Sequence, residues 1–197
     1  MVPESVVALH RIVEELEDDA DVQVVVFAGE LPDFFVNHYD GAAAADLPTP
    51  AHEGDNPVWT DMVLRLSKAS YVSIATIRDR TRGAGNELAL ACDLGHASRE
   101  KAFFGQPSVG IVPGAAAPSD SRAPSAATAH WRPRSAAPTT TPTWPSGGDG
   151  SPELDAFVDT TVPRLASFGR QALATAKSIV NRATLPPDAD LVANQTL

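Results

Sequence analysis

Cysteine, long apolar runs and positive charge are all scarce in this sequence. Cys92 is the one cysteine among 197 residues, which excludes a disulfide framework and a metal site built from cysteines. Because free cysteine packs as a small apolar side chain, Cys92 is predicted to be a buried, reduced thiol. The sequence has no apolar run of about 18 residues, the length that a membrane span needs, so no membrane partner is expected.

Basic residues are outnumbered: 15 Lys and Arg stand against 25 Asp and Glu, which gives a formal net charge of −10. Nucleic acid is therefore not expected as a partner, because binding phosphates requires a basic face. The N-terminus also lacks the basic and then apolar pattern of a signal peptide. A cytoplasmic location is the resulting expectation.

What the sequence does contain, over residues 1–117, is the pattern of an α/β protein. Val22 to Ala28 and Val72 to Ile77 are short runs rich in apolar and β-branched residues, which predicts buried strands. Apolar residues at helical spacing follow Ser5 and predict a first helix with Ser5 as its N-cap. Met62, Val63 and Leu66 predict a second helix. A further helix is predicted near Glu87. This alternation of helices and strands predicts parallel pairing with crossover connections.

The rest of the chain divides into two parts of different composition. Residues 118–152 hold seven prolines and no Leu, Ile, Val, Met or Phe. Such a segment cannot bury enough apolar area to offset its conformational entropy, so disorder is predicted there. Helical periodicity returns over residues 153–197, where Pro163 is expected to kink or split the first of two helices.

The segment from Arg82 to Leu88 is the first that indicates chemistry, because it places two glycines and a carboxylate directly after a predicted strand. Gly83 and Gly85 allow a sharp turn into a helix and leave backbone N–H groups at its positive end. Such N–H groups can hold a developing negative oxygen. The alternative interpretation is a plain turn from strand to helix, in which Glu87 only favours the helix dipole.

Further segments along the chain favour the interpretation of this turn as part of an active site. In order, they are Val24–Gly29 followed by Phe35 and Asp40, then Ser73–Arg78, Arg82–Asp93, His96–Ser98, Phe104–Pro107, Val109–Gly114 and Ala174–Asn181. Together they resemble the signatures of the crotonase family, the enoyl-CoA hydratases and isomerases, at family spacing. The resemblance implies an α/β fold built as a spiral of β-β-α turns. It also implies that this chain is incomplete at both ends and lacks the family's first strands.

The same resemblance implies an active site. The backbone N–H groups of Tyr39 and Ala84 correspond to the oxyanion hole for the thioester carbonyl, and Glu87 corresponds to a catalytic acid/base. Two departures stand out. His38 occupies a place that is usually glycine, and Ser108 occupies the place of the second glutamate of hydratases. A hydroxyl without an activating partner is not a general acid or base near neutral pH, so hydration with two glutamates is not expected.

Acyl-CoA is the partner that the resemblance implies, with coenzyme A as part of the substrate and neither a separate cofactor nor a metal. Family members form homotrimers or hexamers, and assembly stays open for this chain. Three hypotheses about function follow. The chain is an impaired enzyme of the hydratase/isomerase type, a non-catalytic remnant, or a protein that binds CoA thioesters without turnover.

The proline-rich middle has its own hypothesis, a compensated frameshift between about Ala117 and Glu153. When each codon is read from its third base, residues 118–152 can encode a helical segment like the one that the family has there. Trp131 is the most restrictive position for this hypothesis. The first two bases of its codon become the last two of a shifted codon, which can then encode only Leu, Met or Val. A natural proline-rich linker is the alternative.

Overall fold

The computed structural model describes residues 1–50, 52, 55–98, 101–105 and 151–185. Their helices and strands form one α/β arrangement in which three pairs of strands follow one another along the chain. The helices are α1 (Pro3–Asp18), α2 (Val58–Lys68), α3 (Ala84–Ala91), α4 (Ser151–Ala166) and α5 (Arg170–Thr184). The strands are β1 (Val24–Ala28), β2 (Phe34–Val36), β3 (Val72–Ile77), β4 (Arg80–Arg82), β5 (Leu94–Ala97) and β6 (Phe103–Gly105), and a short 3-10 helix covers Gly41–Asp46.

Each pair of strands contributes one strand to each of two sheets. One sheet has the order β1-β3-β5 and the other has the order β2-β4-β6, and every pairing is parallel. Helix α2 follows the first pair and α3 follows the second. This repetition is a β-β-α spiral, so the predicted fold class and the parallel pairing are confirmed.

Strand β3 lies at the centre of the larger sheet and is buried along its whole length. Ala75 and Ile77 belong to the core under α2 and α3, whereas Ile74 packs with Leu173 of α5 on the opposite face. A strand covered on both faces lacks strict alternation of apolar and polar residues, and this strand is mainly apolar and β-branched, with Ser73 and Thr76 also buried. Cys92 lies in the first of these cores as a free thiol, as predicted, and burial raises its pKa.

Two local predictions for single residues differ from the structure, which begins α1 before Ser5 and leaves α4 unsplit at Pro163. Ser5 is not the N-cap of α1, because the helix already begins at Pro3, whose ring fixes the φ angle that a first helical residue needs. Pro163 does not split its helix, since α4 continues to Ala166 and Ser167 N–H donates to the Pro163 carbonyl at 3.0 Å. Pro163 and Asp159, whose carbonyl loses its helical donor, are both exposed, so water can replace the missing bond.

Helix α5 is attached to the C-terminal end of α2. The last four carbonyls of a helix have no partner within it, and two side chains of α5 reach two of them. Lys177 Nζ donates to the Leu66 carbonyl at 3.0 Å, and Asn181 Nδ2 donates to the Ser67 carbonyl at 2.8 Å. The segment from Ala174 to Asn181 thus anchors α5 to the end of α2 through these two bonds.

The predicted disordered or frameshifted segment, residues 118–152, falls outside the described residues except at its end. Ser151 and Pro152 open α4. Among the helices that the structure describes, none combines the length and apolar character needed to cross a membrane.

Candidate functional site

The site is built where the turn from β4 into α3 presses against the segment after β2. Gly83 has a φ of +54°, and a Cβ at this position would lie 2.9 Å from the Cβ of His38. A Cβ on Gly85 would lie 2.1 Å from the carbonyl oxygen of Val36. Both glycines are therefore required, the first for its backbone conformation and the second for the close approach of two backbones. The contact brings the segment that leads to Tyr39 against the start of α3.

Replacing Gly85 with Ala is expected to lower the free energy of unfolding by about 1–3 kcal/mol, the usual cost of forcing a methyl group into a packed interior. The matched control is Gly41→Ala, because Gly41 is exposed and a Cβ on it would meet no atom within 4 Å. That change should stay within about 0.5 kcal/mol of the wild-type value. Urea unfolding of both variants measures the difference. Equal stability of the two would mean that α3 does not press on β2.

Tyr39 follows this contact, and its side chain is engaged by the 3-10 helix. Its hydroxyl donates to the carbonyl of Ala43 at 3.0 Å, which turns the ring toward the 3-10 helix. The Met1 amino group donates to the His38 carbonyl at 2.8 Å. Because no peptide bond in the described chain is cis, the N–H of Tyr39 points away from that carbonyl and therefore away from Met1.

The phenol of Tyr39 stays protonated near neutral pH. Desolvation and then the carboxylates of Asp46, Asp40 and Glu4 raise its pKa. Its side chain is therefore a hydrogen-bond donor and not a base.

Ala84 is the first residue of α3. Glu87 N–H donates to the Gly83 carbonyl at 3.0 Å, which is the first bond of the helix, so the N–H groups of Ala84, Gly85 and Asn86 come before the helical ladder. These groups lie at the positive end of the helix dipole. They are the kind of donors that stabilise negative charge on an oxygen.

Glu87 lies one turn further along α3 and is 5% exposed. Its Oε2 accepts a hydrogen bond from the indole Nε1 of Trp59 at 2.8 Å. Trp59 belongs to the first turn of α2, so the carboxylate is held between two helices. A buried carboxylate beside a helix N-terminus, with a fixed donor, can take up and return a proton at a defined place.

An apolar cleft reaches α3 at Leu88, the residue after Glu87. It has a volume of about 590 Å³ and lies between α1, β1, the segment around β2 and Leu88 of α3. Phe27, Phe34 and Phe35 are among the side chains that line it. Its size falls within the range of sites for small organic ligands.

With this geometry in place, the comparison with known sequences decides the family. Residues 2–120 match the family described as enoyl-CoA hydratase/isomerase. The chain belongs to this family. The match covers more than half of the chain and includes Tyr39, Ala84, Glu87 and Ser108. The crotonase resemblance of the sequence is thereby confirmed.

A short-chain-enoyl-CoA hydratase of Clostridium acetobutylicum is 30% identical over 105 residues, which are 52% of this chain and 40% of that protein. The chain thus spans well under two thirds of the length of this curated relative. Among solved structures, a provisionally assigned enoyl-CoA hydratase from Streptomyces avermitilis matches with a TM-score of 0.72 and 29% identity, over 100% of this chain and 75% of that one.

An enoyl-CoA hydratase from Mycobacterium avium subsp. paratuberculosis has a TM-score of 0.69 and 24% identity, over 98% of this chain and 80% of that one. At that identity the likeness concerns the fold. The two structures together show the crotonase-like fold for this member of the enoyl-CoA hydratase/isomerase family.

Of the predicted site residues, Ala84 and Glu87 lie in the first turn of α3, and Tyr39 directly follows His38, which faces Gly83. Ser108 lies outside the described residues, as do Gln106 and Pro107 of the preceding signature. Sequence reasoning missed Trp59, which is 28 positions from Glu87. One signal in the sequence could have pointed to Trp59. It is a large aromatic residue at the start of a predicted core helix, and its indole N–H needs a hydrogen-bond acceptor when buried.

A second cluster of ionisable groups joins α1 to α2. His10, Glu14 and Asp61 bring ligand atoms within 4.8 Å of one another, a spacing that a metal ion could use. Arg65, however, already pairs with Asp61 at 2.5 Å and with Glu17 at 2.9 Å. Burial opposes ionisation of Asp61, but the hydrogen bonds from Arg65 and His10 outweigh it and lower its pKa. The cluster is an ion-pair network that holds the two helices together.

Proposed function

We propose that this chain is an acyl-CoA thioester enzyme of the hydratase/isomerase type that catalyses proton transfer next to the thioester carbonyl. The observation that supports it best is the buried Glu87 carboxylate, one turn from the N–H groups that open α3. In this proposal the thioester oxygen accepts hydrogen bonds from the N–H groups of Tyr39 and Ala84. Glu87 removes a proton from the carbon beside the carbonyl, and the negative charge develops on that oxygen.

The proposed step needs only groups that the chain supplies. The C–H bond breaks, its electron pair moves into a C=C bond of the enolate, and the proton passes to the Glu87 carboxylate. If the proton on Glu87 is replaced by one from solvent before the same carbon is protonated again, the result is α-proton exchange. In a thioester with a β,γ double bond, delivery of the proton to the γ-carbon instead moves the double bond to the α,β position. The apolar cleft beside Leu88 is a suitable wall for the acyl chain.

Exchange of α-protons tests this function without requiring a second acid or base. Butyryl-CoA would be incubated with purified protein in D₂O, and deuterium at the α-carbon would be followed by NMR. The proposal expects exchange well above the rate without protein. A protein that binds butyryl-CoA in calorimetry but does not exchange its protons would instead be a CoA-thioester-binding protein. A protein that does neither would be a non-catalytic remnant.

Hydration is expected to be weak, because Ser108 stands where a second carboxylate would be needed. Crotonyl-CoA hydration by the wild-type chain should therefore be little or none, and Ser108→Glu should raise it by up to about 10²–10⁴-fold. The control is Ser119→Glu, which adds the same charge in the proline-rich part of the chain. Loss of the crotonyl absorbance measures the rate. Robust hydration by the wild-type chain would contradict the role given to position 108.

A further inference from the structure

We infer that Trp59 is a positioning residue, whose indole N–H fixes the Glu87 carboxylate in the orientation needed for proton transfer. This inference rests on the proposed function of Glu87. The two residues lie on different helices, and the bond between Nε1 and Oε2 measures 2.8 Å. Hydrogen bonds to an ionised group are about twice as strong as those between neutral groups.

The carboxylate needs such a partner because the last torsion of a glutamate side chain has broad preferences. A donor on one oxygen sets the plane of the group, and with it the direction of the second oxygen. Proton transfer depends on this direction, since a displacement of about 1 Å at a reacting group can cost about 10²-fold in rate.

Trp59 is itself held firmly enough to act as a reference point. It is half-buried against the main core, in the first turn of α2. Helix α2 is tied to α1 through Arg65, which binds Asp61 and Glu17. The indole N–H is a donor only, so it cannot take a proton from substrate. Its part in the reaction is therefore orientation of Glu87.

Two substitutions at position 59 distinguish the effect of the N–H donor from the effect of the aromatic ring. Trp59→Phe keeps an aromatic ring and loses the N–H, whereas Trp59→Gln keeps an N–H donor of similar reach and loses the ring. If Trp59 positions Glu87, the Phe variant should lose about tenfold to a hundredfold in kcat for α-proton exchange, with KM little changed. The Gln variant should retain most of the wild-type kcat. The reverse order would show that Trp59 serves only to fill space, which would overturn the inference.

A spectroscopic measurement tests the contact without relying on activity. In a ¹H–¹⁵N NMR spectrum the Trp59 indole signal is assigned by its absence from the Trp59→Phe variant, which separates it from Trp131 and Trp144. We expect it to move upfield in Glu87→Gln, where a neutral amide replaces the carboxylate. An unchanged signal would overturn the contact.

The two proposals fail in different ways. If the wild-type protein does not exchange α-protons, the proposed function is overturned, and the indole signal still reports whether Trp59 binds Glu87. If the wild-type and Trp59→Phe proteins exchange at equal rates, the proposed function stands and the positioning role of Trp59 is overturned.

Discussion

Replacing Glu87 with Gln is expected to lower the rate of α-proton exchange by about 10²–10⁴-fold, the usual contribution of a general acid/base. Gln has nearly the same shape, and its amide oxygen can still accept the hydrogen bond that Trp59 donates at 2.8 Å. The fold should therefore persist while the group that takes the proton is lost. NMR of deuterium incorporation into butyryl-CoA measures the rate, and KM should change less than kcat.

The matched control for Glu87 is Glu14→Gln, the same chemical change on a different helix. Glu14 has a side chain that is 44% exposed and lies 3.6 Å from Arg65 in the network between α1 and α2. Its loss should leave the exchange rate within about twofold of wild type, since exposed ion pairs contribute little to stability. An active Glu87→Gln protein, or an equal loss in both variants, would refute the assignment of Glu87.

Replacing Lys177 with Met is expected to lower the free energy of unfolding by about 3 kcal/mol, because it leaves a partly buried charge without its partner. Lys177 is 8% exposed, and its Nζ lies 2.8 Å from Asp93 Oδ2. The same ammonium donates to the carbonyls of Leu66 and Tyr71. The expected loss is at the low end for a buried pair because Asp93 keeps two bonds from Ser73.

Urea unfolding of Lys177→Met beside Lys101→Met measures this effect. Lys101 is exposed, so its change should stay within about 0.5 kcal/mol of wild type. Adding Asp93→Asn to Lys177→Met should recover part of the loss, since it removes the unpaired carboxylate. If Lys177→Met were no less stable than Lys101→Met, α5 would not be held by this contact.

The sequence by itself was sufficient for the features that depend on neighbours along the chain. The run from Val72 to Ile77 predicted the central strand with its observed bounds, because a short, mainly apolar and β-branched run without strict alternation is typical of a strand buried on both faces. The glycines before Glu87 predicted the turn into a helix, and the family signatures around them predicted the β-β-α spiral. Each of these signals is a local pattern that can be read without knowing what packs against it.

Local patterns were a weaker guide to where helices begin and end. Ser5 was predicted as a cap, but Pro3 opens α1. Pro163 was expected to kink or split a helix, and α4 is not split there, because Pro163 lies on its exposed side, where the lost hydrogen bond costs less. Residue type alone did not reveal that Pro3 would be the first residue of α1, or that Pro163 would face solvent.

Only the tertiary structure decided what surrounds Glu87 and what holds the last helix. Trp59 reaches Glu87 across 28 positions, and Lys177 reaches the carbonyl of Leu66 across 111. These contacts exist because the parallel spiral stacks α2 between α3 and α5, and the identity of a distant partner leaves no periodic trace in the sequence. The residues that could carry chemistry were therefore readable from the chain, whereas the groups that orient and support them were set by packing.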